Sequence, residues 1–172
     1  MNMQIRKIQL EDLKSRVEWM NNPAVYSNMH FDIPITLENT VKWFNKNLSD
    51  DCRIDFAIEH DSRLVGFGGL TNIDKSVGKA EFYIFINPNE HNRGFGSKAL
   101  IKILEYAFDT LSLNRVWLVT DAGNTVARKM YEKCGLSLEG ILRQDSLRNQ
   151  KLIDRCRYAM LRSEFNKKIK EV

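Results

Sequence analysis

The chain has 172 residues, 43% of them hydrophobic and 28% charged, which suits one globular domain over residues 1–172 with a full apolar core. The net charge of +4 is mild and sits largely in the tail Arg162 to Lys170, where only Phe165 is interleaved; it reads as a solvated end, not as a nucleic-acid arm. No signal peptide, membrane span, repeat or low-complexity run is read, so no membrane partner is expected and the cytoplasm is the default location. Cys52, Cys134 and Cys156 stand apart without metal spacing and are expected as reduced, structural thiols with no metal.

In chain order, Met3 to Leu10 predicts a strand and Glu11 to Met20 a helix with Leu13, Val17 and Met20 on one side. Asn22-Pro23 breaks it, and an irregular segment runs to Pro34. Thr36 then caps a helix through Leu37, Val41, Phe44 and Leu48. Arg53 to Glu59 and Arg63 to Leu70 predict a hairpin across His60-Asp61-Ser62, and Lys79 to Ile86 a strand. Ser97 to Leu111 is the strongest helix, with Leu100, Ile103, Leu104, Ala107, Phe108 and Leu111 on one face. Arg115 to Thr120 predicts a strand, Asn124 onward a helix stopped by Gly135, and Ser137 to Gln144 and Leu152 to Leu161 two late strands.

Between the strand ending at Ile86 and the strongest helix stands N-P-N-E-H-N-R-G-F-G-S-K, Asn87 to Lys98. Backbone N–H groups at a helix start lack intrahelical partners, the helix dipole adds positive potential there, and glycine lets a phosphate approach. A nucleotide-type cofactor is therefore expected. Gly94-Phe95-Gly96-Ser97-Lys98-Ala99 satisfies the dinucleotide pattern G-x-G-x-x-A, with Asp121 near the distance of a ribose-binding acid. That reading wants a tight turn after the strand and several βα units in series, whereas Asn87 to Asn92 is a longer connection and a single unit is visible. A Walker-type loop is excluded, since Ala99 follows Lys98 and the upstream glycine is missing.

The segment H-N-R-G-F-G (His91 to Gly96), together with N-T-V-A-R-K-M-Y-E-K-C-G-L (Asn124 to Leu136), resembles the Gcn5-related N-acetyltransferase (GNAT) superfamily. The resemblance implies an α+β (mixed α/β) GNAT fold along essentially the whole chain, with a mostly antiparallel sheet of about seven strands flanked by about four helices. It implies acetyl-coenzyme A as co-substrate, its pyrophosphate on His91, Asn92, Arg93, Gly94, Phe95, Gly96 and Ser97. Ile84, Phe85 and Ile86 would pair with the pantetheine amides as an added strand does, and Asn124 would reach the same arm or simply cap its helix. His91 stands where Gln or Arg is usual and Asn92 where glycine is frequent; neither removes backbone donors. The segment Glu18 to Val25, with Met29, Thr36-Leu37-Glu38 and Trp43-Phe44, resembles the ribosomal-protein N-acetyltransferase branch and its relatives on nucleotide-linked amino sugars.

Amine acetylation needs a proton acceptor, because an alkylammonium of pKa ~10 is mostly unreactive at neutral pH, and the departing thiolate needs a proton. The family match implies Tyr131 as the acid beside the sulfur. Glu81 is the candidate base, through water, since strand alternation sets it opposite Ala80, Phe82 and Ile84. Trp19, Met29, His30 and Tyr83 are expected around the acceptor. A nucleotide-linked amino sugar is favoured there; an N-terminal peptide or polyamine is the alternative within the family, and a dinucleotide oxidoreductase or an acyl-coenzyme A sensor without catalysis lies outside it. Monomer and homodimer both stay open.

Overall fold

In the computed structural model, which describes residues 2–165, the strands are β1 (Met3–Lys7), β2 (Ile54–His60), β3 (Arg63–Asp74), β4 (Lys79–Ile86), β5 (Arg115–Asp121), β6 (Ser137–Arg148) and β7 (Lys151–Leu161). The α-helices are α1 (Leu13–Met20), α2 (Pro23–Tyr26), α3 (Leu37–Asn47), α4 (Phe95–Glu105) and α5 (Thr125–Lys133). All seven strands join one sheet in the order β1-β2-β3-β4-β5-β7-β6, antiparallel except for β4 beside β5. This is the α+β GNAT arrangement that the resemblance implies. The part of the basic tail beyond Phe165 lies outside the described residues.

One face of the sheet buries Phe82, Val116, Leu118 and Tyr158 against Leu100, Ile103, Leu104 and Phe108, the apolar side read from the helical period. The other face buries Phe67 and Phe85 against Trp19 and Val25 of α1 and α2. Thr36 caps α3 through its hydroxyl, which accepts from the Asn39 amide. Gly135 ends α5 at φ +92°, with the Leu136 amide reaching back to the Tyr131 carbonyl and its own to Glu132, so the helix carbonyls are satisfied where the chain turns away.

The structure departs from the sequence expectations where polar residues take regular structure. The β6–β7 connection is a two-residue turn, Asn149-Gln150, both at positive φ, and not the longer loop expected after Gln144. A register shift between Leu142 and Ser146 bulges β6, and its polar stretch then pairs onward to Arg148. Similarly β3 runs past Leu70 through a bulge near Asn72 to Asp74. β1 stops at Lys7, and a 3-10 turn over Leu10–Asp12 precedes α1. α2 occupies part of the segment expected to be irregular, capped by the Asn22 side chain. α4 begins at Phe95, two residues earlier than expected, and gives way to a π-helical turn over Tyr106–Thr110. No helix among the described residues is long and apolar enough to cross a membrane.

Candidate active site

β4 and β5 pair over Lys79–Glu81 and Arg115–Trp117, and then part. Between their diverging ends opens a cleft of about 750 Å3, lined by Phe82 to Ile86 on one side and Leu118 to Thr120 on the other. The expected pantetheine strand, Ile84, Phe85 and Ile86, forms one wall. A smaller cavity of about 280 Å3 beside Trp43 and Asp50 holds none of the expected site residues.

At one end the cleft meets the loop before α4. Gly94 is the N-cap of α4 at φ +76°, a left-handed conformation, and a Cβ there would meet nothing within 4 Å. Asn92, at the position where glycine is frequent, also takes a positive φ of 63°, which an asparagine tolerates. Gly96 serves another purpose: a Cβ would stand 2.9 Å from the Met130 sulfur, so this glycine lets the start of α4 pack against α5. His91, Asn92, Phe95 and Ser97 all line the cleft, and the His91 ring bonds the Ile86 carbonyl at 3.0 Å, tying the loop to the strand it leaves. Arg93 turns instead to Glu90, with its guanidinium 5.5 Å from the Phe95 ring.

Farther in, Tyr131 lines the cleft from α5 with 8% of its surface exposed. Burial, and then the neighbouring Cys134, push its hydroxyl well above the usual phenol range, so it stays protonated through neutral pH. Its hydroxyl makes no hydrogen bond to another described residue. Asn124 lines the cleft and spends its side-chain oxygen capping α5, at 3.2 Å from the Ala127 amide. Glu81 lines the cleft from β4 and accepts a 2.7 Å bond from the Asn72 side chain, which the β3 bulge aims at it.

The other end is built from three separated segments. Met29 and His30 line it, His30 Nε2 lies 2.7 Å from Asp121 and Nδ1 3.2 Å from the Ser146 hydroxyl. Arg148 donates to Asp121 at 2.7 Å and to the Met29 carbonyl at 3.3 Å. Asp121 is thus buried against the guanidinium of Arg148, the His30 ring and, at 3.7 Å, Arg155, which accounts for it without a ribose. Tyr83 lines the wall, its hydroxyl bonded to Asp55 and pushed up to about 12, by burial first and by that carboxylate second among the raising causes. Trp19 is the expected acceptor residue that the fold withholds, as Arg93 is at the other end: it packs 5.4 Å from Phe67 in the core, because the side of α1 that carries it faces the sheet. Asn72, Ser146, Arg148 and Arg155 reach the site although the sequence reading passed over them; period-two alternation along β7 was the available signal for Arg155.

The acetyltransferase (GNAT) domain family matches residues 2–137. The spermidine N(1)-acetyltransferase of Escherichia coli is 26% identical over 165 residues, covering 95% of this chain and 88% of that protein. That of Vibrio cholerae is 28% identical over 169 residues, covering 96% and 97%. The crystal structure of the Vibrio cholerae spermidine N-acetyltransferase in complex with CoA and spermine superposes with a TM-score of 0.90 at 27% identity, over 95% of this chain and 98% of that one. These matches set aside the dinucleotide oxidoreductase, whose series of parallel βα units this sheet also lacks among the described residues. With its loop-capped helix, its parted strands and these relatives, the chain belongs to the GNAT family and is an acetyl-coenzyme A-dependent N-acetyltransferase.

Proposed function

We propose that the chain acetylates the primary amine of a small molecule, with Tyr131 donating a proton toward the departing thiolate and Glu81 accepting the proton of the amine. The observation that carries this reading is that one cleft collects a buried, protonated, otherwise unbonded phenol and, across the parted strands, a carboxylate held by a neutral amide. The residues fit acetyl-coenzyme A: the open left-handed turn at Gly94 leaves the α4 amides approachable for a pyrophosphate, and Ile84 to Ile86 present strand backbone to the cleft. The co-substrate supplies an activated acetyl thioester. Asn124 and the β4 backbone orient its arm, Tyr131 holds a proton near the sulfur, and Glu81, directly or through water, takes the amine proton.

For the acceptor the favoured reading is a nucleotide-linked amino sugar. Support comes from the flat apolar surfaces of Met29, Tyr83 and Phe85 around the cleft, and from carboxylates already engaged, Asp55 by Arg53 and Tyr83 and Asp121 by His30 and Arg148. A polycation wants free carboxylates. The second reading is a polyamine, favoured by the spermidine acetyltransferases among the relatives. Thiol release with a uridine-diphosphate-linked amino sugar, spermidine and an N-terminal peptide tests both: the sugar is expected to give the highest kcat/KM. Spermidine ahead by about tenfold moves the assignment to the second reading. No release with any amine, despite acetyl-coenzyme A binding, leaves a sensor.

A further inference from the structure

Arg155 and Arg157 are two residues apart on β7, so both point away from the buried face that holds Cys156 and Tyr158. In register, Arg155 pairs with Asp121 and Arg157 with Val119, and the next residue on that face of β5, Trp117, stands beside Glu81 of β4. The two arginines therefore share one face of the sheet with the expected base. Arg155 lines the cleft, and Arg157 continues the same face beyond it.

Neither guanidinium is well satisfied. The Nε of each is buried with no hydrogen-bond partner among the described residues. Arg157 lies 4.4 Å from the Trp117 ring centroid and makes no ion pair with another described residue. Arg155 has only long contacts: 3.7 Å to Asp121, 3.6 Å to Asp145 and 3.5 Å to the Val119 carbonyl. The nearby carboxylates have closer claims on them, Asp121 from His30 and Arg148 at 2.7 Å and Glu139 from Arg115 at 2.5 Å. Glu81 is bonded to a neutral amide and, among the described residues, to no cation. Among the described residues the face thus offers one carboxylate without a cation, one guanidinium without an ion pair and one held only by long contacts. A buried N–H left unpaired is costly, and the planar guanidinium suits carboxylate and phosphate oxygens in particular.

We propose that Arg155 and Arg157 form an anion subsite of the acceptor pocket, which takes a phosphate or carboxylate carried by the amine substrate while Glu81 faces its amine. The inference rests on the acetyltransferase reading above and narrows its acceptor to amines that also bear an anionic group. A polyamine bound along this face would meet two cations, and a bare amine would leave them unpaired.

Matched acceptors test it by thiol release: aminoethyl phosphate against aminoethanol, and β-alanine against aminopropanol, the two pairs separating phosphate from carboxylate. The anionic member of at least one pair is expected to have kcat/KM higher by about tenfold or more. Arg157→Gln, which breaks no ion pair, and Arg155→Gln are expected to bring that ratio toward one, chiefly through KM, with Arg157→Lys recovering part of it. A second readout needs no turnover: uridine diphosphate is titrated into protein saturated with coenzyme A, and its Kd is expected to rise about tenfold or more in either Gln variant. No preference for the anionic members, or a preference unchanged in both variants, overturns the subsite while thiol release itself leaves the acetyltransferase reading standing. If no amine releases thiol, that reading fails instead, and the subsite is then decided by the titration, where absent binding or binding equal in the variants overturns it.

Discussion

The two ends of the cleft are made differently. The end proposed for the cofactor is mostly one run of chain, Ile84 to Ser97, joined by Asn124, and side chains hold its loop in shape, as His91 does on Ile86 and Arg93 on Glu90. The end proposed for the acceptor is made of side chains from distant segments: Met29 and His30 before α3, Asp121 at the end of β5, Ser146 and Arg148 on β6, Arg155 on β7. A site made of backbone can keep its ligand while side chains change. A site made of side chains changes its ligand whenever one of them does.

Four substitutions sharpen that contrast, in falling order of effect. Tyr131→Phe keeps the ring and deletes the proton donor, so kcat is expected to fall by about 10² or more with acetyl-coenzyme A affinity retained, as read by single-turnover rates and calorimetry. An unchanged rate removes Tyr131 from the chemistry. Glu81→Gln is expected to cost about 10- to 30-fold at neutral pH, less as the pH rises and the amine loses its proton unaided. A loss independent of pH assigns Glu81 to acceptor binding.

At the cofactor end the contrast predicts that a backbone change outweighs a side-chain change. Gly94→Ala adds a Cβ into open space but holds alanine at a positive φ, which costs roughly 1–2 kcal/mol and is expected to weaken acetyl-coenzyme A binding by about tenfold. His91→Ala removes one exposed hydrogen bond, worth about 1 kcal/mol or less, and is expected to weaken it about threefold. Calorimetric Kd values decide the order. If His91→Ala costs more than Gly94→Ala, the loop works through its side chains and the contrast between the two ends is lost.

The smallest effect belongs to the scaffold at the β1 edge of the sheet, away from the cleft. Burial alone would raise the Asp12 carboxyl, but bonds from Arg6 and from the Gln9 amide together hold it below the usual carboxylate range. A carboxyl depressed in the folded chain stabilises fully above its unfolded value of about 4, and that contribution is lost as the pH falls from there through the lower folded value. The Tm of wild type is therefore expected to fall more steeply than that of Asp12→Asn below pH about 4, with acetyl-coenzyme A affinity at neutral pH alike in both. Parallel curves would show that Asp12 adds nothing to acid stability.

Legibility followed the same division. Residues adjacent in sequence, such as Asn124 to Gly135 from cap to stop, carry their local structure in their spacing, and the fold kept them as read, whereas α4 starts at Phe95, two residues inside the expected loop. Trp19 had the residue type of a pocket aromatic, yet its direction depended on which side of α1 met the sheet. Ser146 and Arg148 lay hidden because the polar run after Gln144 has no apolar alternation, and its pairing comes from the partner strand and a bulge.

By itself the sequence determined the strand-loop-helix cradle, the capped helix that carries Tyr131, and the order of the strands and of every helix but α2, since caps, turns and periodicities act over a few residues and need no distant partner. Only the tertiary structure decided where β4 and β5 part, and which cations surround Asp121. It also decided that two arginines of β7 share a face with Glu81 two strands away. Each of these depends on strand order and register, which long-range packing sets and no short stretch of chain encodes.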